Sequence, residues 1–335
     1  MSSVSTAPPR RGLYSATVIE NRALCTEHYR LTLEVPNFPP SMPGQFVQLE
    51  CRDPASAQTD FAHLPDAAQA VAAPPILDLR PGSSAMLHDP DLLDATAFLR
   101  RPFSIARHEP GTSHIDIIHR VVGRGTRFLE RLRKGDDISV LGPLGKGFWV
   151  PEDVQTALLV GGGVGIPPLL YMADALGARG ERAIAFVGAQ RKDLIPLTFA
   201  PDVPPASPAG DPVLNVAEFA RHGIPAVLTT DDGSLGMKGY VTGALDRFLS
   251  QDRAEAARMA VFCCGPTPMM KATAKVAAAH GVRCFVSLEQ PMACGMGTCQ
   301  SCVVKVKPAG GGAEDWAYRL TCTDGPVFDA SVLRW

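Results

Sequence analysis

The sequence lacks a charge excess: 32 lysines and arginines stand against 34 aspartates and glutamates, a formal net charge of −2. That removes the electrostatic case for a nucleic acid or an acidic membrane surface and leaves recognition by shape and apolar contact. Apolar runs near the roughly 20 residues of a membrane span are also missing. The best candidates, such as "TALLVGGGVGIPPLLYM", are broken by glycine and proline. The opening "MSSVSTAPPRRGLYSATV" has no apolar segment behind its arginines. It reads as a short disordered lead into a strand, not an export signal, and a cytoplasmic location is expected. Internal repeats are absent, and no convincing pair of carboxylates or histidines suggests acid–base catalysis.

Cysteine is what the sequence has. Nine are present, an odd number, and their clustering is local. In a chain without an export signal this favours metal or redox chemistry over disulfides. "SLEQPMACGMGTCQSCVV" holds Cys294, Cys299 and Cys302 in a C-x4-C-x2-C spacing, and Cys322 follows in "YRLTCTDGPVF". This is the plant-type [2Fe–2S] pattern, with thiolates on one loop and the fourth from a distant segment. Gly295 and Gly297 would let the loop wrap a cluster. Structural zinc usually pairs two short knuckles. A redox dithiol at Cys299 and Cys302 would leave Cys294 and Cys322 unexplained, so the cluster is the preferred reading. Cys25, Cys51, Cys263 and Cys284 follow no pattern and are expected to be buried structural thiols.

The order of elements gives these thiols a setting. "LYSATVIENRALCTEHYRLTLEV", "RRPFSIARHE", "SHIDIIHRVV" and "DDISVLGPLG" are short strands between Pro/Gly turns. They predict an antiparallel β-barrel over 1–152. A stretch rich in Ala, Pro, Ser and Asp at 53–97 reads as an insertion on its surface. From "QTALLVGGGVGIPPLLYMADALGARG" onward strands and helices alternate. That predicts an α/β doubly wound parallel sheet over 153–286, and 287–335 forms a small C-terminal module. Gly161, Gly162, Gly163 and Gly165 lie between an apolar strand and a helix, a place suited to a phosphate-bearing ligand. Gln190, Arg191 and Lys192 in "GAQRKD" leave NAD against NADP open. "RRPFSI" followed by "IIHRVVGRGT" offers a cation, a rigid edge and small residues, as a flavin requires. Taken alone it would pass for a hairpin with surface arginines.

"RRPFSI", "GPLGKGF", "LLVGGGVGIPPL" and "FCCGPTPMM" occur in the order seen in the ferredoxin–NADP reductase superfamily, which the chain resembles. The resemblance implies an FAD-binding barrel followed by a pyridine-nucleotide domain. FAD would be held by Arg101, Pro102, Phe103, Ser104, Ile118, His119 and Arg120, with Gly125 and Thr126 at the phosphates. His119 stands where relatives often carry tyrosine, and its ring is expected still to stack. Gly161 to Gly165 would face NAD, with Cys264, Gly265 and Pro266 near the nicotinamide.

The short tail, with "LTCTDGPVFDASVL" and "TTDDGSLGMKGYVT", narrows the resemblance to electron-transfer subunits of NAD-dependent (type B) dihydroorotate dehydrogenase. That implies an FMN-containing catalytic subunit as partner, in a heterotetramer of two of each, within pyrimidine biosynthesis. Two alternatives stay open. One is the small flavin/iron–sulfur subunit of another oxidoreductase, of the NAD(P)H–ferredoxin oxidoreductase or sulfhydrogenase type. The other is a zinc-stiffened binding module.

Overall fold

The computed structural model describes residues 11–52, 99–109, 111–201, 203–251, 255–308, 310–312 and 315–335. The insertion expected at 53–97 lies outside the described residues. Strands β1 (Gly12–Cys25), β2 (His28–Glu34), β3 (Phe46–Leu49), β4 (Arg101–His108), β5 (His114–Arg120) and β6 (Asp137–Leu144) close into a barrel of order β1-β2-β5-β4-β3-β6. All its pairings are antiparallel. Alternation in the sequence drives this closure. Val18, Leu31, Leu33, Ile105, Ile115, Ile117, Ile138 and Val140 point inward into one core, and closing the sheet leaves no free edge. Helix α1 (Arg124–Arg131) bridges β5 and β6.

β3 departs from alternation, since all four of its residues are buried. Val47 and Leu49 face the barrel core. Phe46 on the outer face packs with Leu144, Cys302 and Cys322, and Gln48 bonds to Ala293. The C-terminal segment therefore covers the outside of this strand.

The second half contains β7 (Thr156–Gly162), α2 (Ile166–Ala178), β8 (Arg182–Ala189), α3 (Ala217–Ala220), β9 (Ala226–Thr230), β10 (Met237–Lys238), α4 (Val241–Gln251), β11 (Met259–Cys264), α5 (Thr267–Ala279) and β12 (Arg283–Ser287). β13 (Val303–Val306) and β14 (Ala317–Leu320) form a small hairpin, and β15 (Val327–Asp329) ends the strands. The sheet order is β10-β9-β8-β7-β11-β12-β15. Its pairings are parallel except at β15, which joins β12 antiparallel. β7 is buried along its whole length, as a central parallel strand must be. α2 and α3 cover one face of the sheet, and α4 and α5 cover the other. Among the described residues no helix is long and apolar enough to cross a membrane.

The tail is stitched in on both sides. β15 extends the nucleotide sheet, and Lys146 N, just past β6, donates to the Gly325 carbonyl at 2.5 Å. The barrel meets the sheet through α2. Ala106 and Ile118 share a core with Ile166, Leu169 and Leu170, and the Tyr171 hydroxyl donates to the Ser41 carbonyl at 2.7 Å. Beside this seam Phe262 lies edge-on to Phe148 (5.7 Å between centroids) and stacks on Phe285 (5.5 Å). Phe262→Ala removes a fully buried ring from the middle of that stack and should cost about 3–5 kcal/mol. A fall in the thermal unfolding midpoint checks it.

Candidate functional site

The cysteine loop follows from its glycines. Gly295 has φ +69° and Gly297 φ +94°, left-handed turns that fold the chain back on itself. The thiols then fall into two pairs. Cys294 N donates to Cys299 Sγ at 3.5 Å and Cys299 N to Cys294 Sγ at 3.4 Å. Cys322 N donates to Cys302 Sγ at 3.4 Å. Cys302 and Cys322 are buried, Cys294 half-buried and Cys299 exposed. Hydrogen bonding, led by Ser301, pulls the Cys299 thiol down to about 6, whereas burial pushes Cys322 up. A buried sulfur of this kind is held as thiolate only when a metal cation compensates it. Among the described residues, no three His, Cys, Asp or Glu side chains converge on one ion position. Two pairs of sulfurs match a four-thiolate, two-iron cluster, and the donor set fits it.

The loop rests on the wall that carries the expected flavin residues. In the β3–β4 ladder Phe46 pairs with Ser104 and Gln48 with Pro102. Directly opposed residues share a face, so Pro102 and Ser104 lie beside the cluster seat, one strand spacing (about 4.8 Å) away. Arg101 sits at the start of β4 with its guanidinium donating to the Leu99 carbonyl at 3.1 Å. Arg120 pairs with Glu27 at 2.9 Å. Thr126 Oγ1 accepts from Val122 N (2.9 Å) and Gly123 N (3.1 Å), which fixes the turn that holds Gly125. These donors, and the half-buried run from Arg101 to Ser104, suit a flavin nucleotide.

Two of the expected residues pack against the inside of the barrel. Phe103 packs against the barrel core. His119 is 1% exposed, stacked 5.8 Å from Tyr29 and edge-on 6.1 Å from Phe103. Its ring lines the barrel interior because it shares a face with Ile115 and Ile117, and burial lowers its pKa to about 4. Cys51, Cys263 and Cys284 are buried as expected, but Cys25 is only half-buried at the end of β1. Sequence reasoning passed over Phe46 and Gln48. Only the unbroken burial of β3 reveals them, and a four-residue strand carries too little pattern to signal it.

The nucleotide residues converge. The strand order runs outward from β7 in both directions, so the crevice between the carboxyl ends of β7 and β11 is a topological switch point, where open α/β sheets bind ligands. Gly161 pairs with Cys264 across it. A Cβ on Gly165 would overlap the Cys264 carbonyl, so the two turns close on each other only because that residue is glycine. Burial lifts the Cys264 thiol to about 12, so it offers the crevice a neutral surface. One strand over, Arg191 is held by Asp193 in a two-point contact at 3.1 and 3.1 Å. Asp231 and Asp232 are exposed on the adjoining loop. Gly165→Ala should abolish NADH binding, measured by fluorescence titration, while FAD and iron content stay at wild-type levels.

The comparisons with known proteins agree with this layout. Residues 289–334 match the family model of the iron-sulfur cluster binding domain of dihydroorotate dehydrogenase B. The dihydroorotate dehydrogenase B (NAD(+)) electron transfer subunit of Fusobacterium nucleatum is 37% identical over 238 residues, covering 70% of this chain and 80% of the relative. That of Caldanaerobacter subterraneus is 30% identical over 318 residues, covering 95% and 97%. Among solved structures, an NADH-dependent reduced ferredoxin–NADP oxidoreductase, described in a study of flavin-based electron bifurcation, aligns with TM-score 0.64 and 26% identity over 96% of this chain and 90% of its own. A Neisseria gonorrhoeae ferredoxin NADP+ reductase with bound FAD and NADP shares the fold at TM-score 0.53 and 13% identity, over 80% and 92%. The cysteine loop, the barrel wall beneath it and a relative matched nearly end to end agree: the chain belongs to the family of electron transfer subunits of dihydroorotate dehydrogenase B (NAD(+)).

Proposed function

We propose that this chain carries electrons from a dihydroorotate dehydrogenase catalytic subunit, through a [2Fe–2S] cluster and FAD, to NAD+ in pyrimidine biosynthesis. The observation that carries the reading is Phe46, which shares one buried cluster with Cys302 and Cys322 and pairs with Ser104. The residues of the cluster and of the flavin thus share one barrel wall. In this assignment 1–152 is the FAD unit, 153–286 the NAD unit and 287–335 the cluster module. The partner bears FMN, and the assembly holds two of each subunit in the cytoplasm. Met296, Trp316 and Tyr318, exposed on the cluster module, supply an apolar rim for it.

A nicotinamide exchanges electrons in pairs as hydride, an iron–sulfur cluster carries one, and a flavin works in both modes. The chain's own residues position and tune these groups. Cys294, Cys299, Cys302 and Cys322 would hold the irons, and burial of the last two would keep water from that side. The Ser301 hydroxyl, 3.2 Å from Cys299 Sγ, tunes the exposed side. Arg101 supplies a cation for the flavin's phosphates, and Pro102 and Ser104 supply a rigid edge and a hydroxyl. Ile118, His119 and Arg120 form the neighbouring wall, His119 and Phe103 acting from inside the barrel as its support. Gly125 and Thr126 shape the turn that opens α1, the kind of helix start that suits a phosphate.

Gly161, Gly162, Gly163 and Gly165 let a pyrophosphate approach the start of α2. Cys264, Gly265 and Pro266 form the opposite lip, where a neutral thiol would face the nicotinamide. No proton-transfer pair is required of this chain. The Arg191–Asp193 pair and the exposed Asp231 and Asp232 favour NAD+ over its 2′-phosphorylated form.

The complex purified with its catalytic partner should couple orotate formation to NAD+ reduction, and an intact complex without that activity contradicts the assignment. Cys299→Ser should lose the iron and the cluster's visible and EPR signals yet keep FAD. Asp193→Ala frees the Arg191 guanidinium and should raise kcat/KM for NADPH relative to NADH, by about tenfold.

A further inference from the structure

Gln48 is a buried polar residue that the cofactor sites leave unexplained. It is 0% exposed, on the outer face of β3. A primary amide carries two donors and an acceptor oxygen, and burying one costs free energy unless those sites are partnered. Nε2 donates to the Ala293 carbonyl at 3.3 Å, one residue before Cys294. Oε1 has no partner among the described residues. An apolar side chain of the same length would fill this place without that cost.

Its surroundings give the amide a role. On one side the cysteine loop lies flat against it. A Cβ on Gly295 would come within 2.7 Å of Gln48 Cδ and 2.9 Å of Nε2, so backbone and amide are in direct contact. On the other side Gln48 is paired with Pro102 of the flavin strand. Phe46, two residues earlier on the same face, shares a buried cluster with the two buried cysteines. Phe46 supplies shape, while the Gln48 amide supplies the directional bond that sets where along β3 the loop rests.

We infer that Gln48 is a positioning residue for electron transfer: its amide registers the cysteine loop on the flavin strand and so sets the separation across which a single electron passes. The inference rests on the electron path proposed above.

Stopped-flow reduction of the FAD- and iron-loaded chain by NADH separates two events. In the first, NADH gives a hydride to FAD and leaves as NAD+, so the flavin gains two electrons and a proton. In the second, reduced flavin passes one electron to the oxidised cluster, read as bleaching of the cluster's red absorbance. Gln48→Met keeps the length and removes the amide. It should retain FAD and iron and leave the first phase unchanged, and it should slow the second phase about tenfold, the scale of a lost outer-shell contact.

Gln48→Asn keeps the amide one methylene short of Ala293 and should also slow the second phase. It decides the matter should the Met variant lose iron. A second phase at the wild-type rate in an iron-replete variant overturns the inference. Loss of iron from both variants does so too, because Gln48 would then only hold the module together. Absence of a second phase in the wild-type chain counts instead against the electron path itself.

Discussion

The structure depends on one contact, the seat of the cysteine loop on the outer face of β3. Single electrons move usefully only between groups held close together and shielded from water, so both requirements fall on whatever joins the cluster module to the barrel. Phe46 and Leu144 form that joint with Cys302 and Cys322, all four buried. The tail's other attachments work to the same end. β15 pairs with β12, and Gly325 accepts a hydrogen bond from Lys146 just past β6. A module too small for a core of its own is thereby made rigid by two larger neighbours. Its thiols inherit the precision of a barrel and a parallel sheet.

The two larger units supply different chemistry through different geometry. The closed barrel offers a wall, along which Pro102 and Ser104 lie beside the cluster seat. The open sheet offers an edge, where its order reverses between β7 and β11 and two glycine turns meet. β5 lies against the turn at Gly163–Gly165, so wall and edge face each other. Ile118 belongs to both, being a barrel residue in the core that α2 shares. Aromatic and aliphatic packing sets the seam, and two ion pairs cross it, Arg30 with Glu218 at 3.4 Å and Arg107 with Asp174 at 3.7 Å.

Much of this was legible in the sequence, and the reason is local. Strand alternation from Leu13 to Val35, the apolar run before Gly161 and the spacing of Cys294, Cys299 and Cys302 are short-range patterns, each imposed by one element or one ligand set. Features that arise between distant segments were not legible. β15 reads as a tail yet completes a sheet, because its partner β12 lies forty residues back in the chain, at Phe285 to Ser287. Gln48 drew no reading from the sequence, because what covers it is Ala293 and Gly295 from the far end of the chain. His119 was expected beside the flavin by the family resemblance, as a ring standing where relatives often carry tyrosine. The strand's period of two instead turns its ring inward with Ile115 and Ile117.

The central claim is that this single chain contains the whole path between cluster and nicotinamide. Anaerobic addition of NADH to the chain without its partner, followed by EPR of the reduced cluster, tests it most directly. The account predicts a cluster signal that grows with NADH until every chain is reduced. Bleaching of the flavin with no cluster signal until the catalytic subunit is added would contradict it.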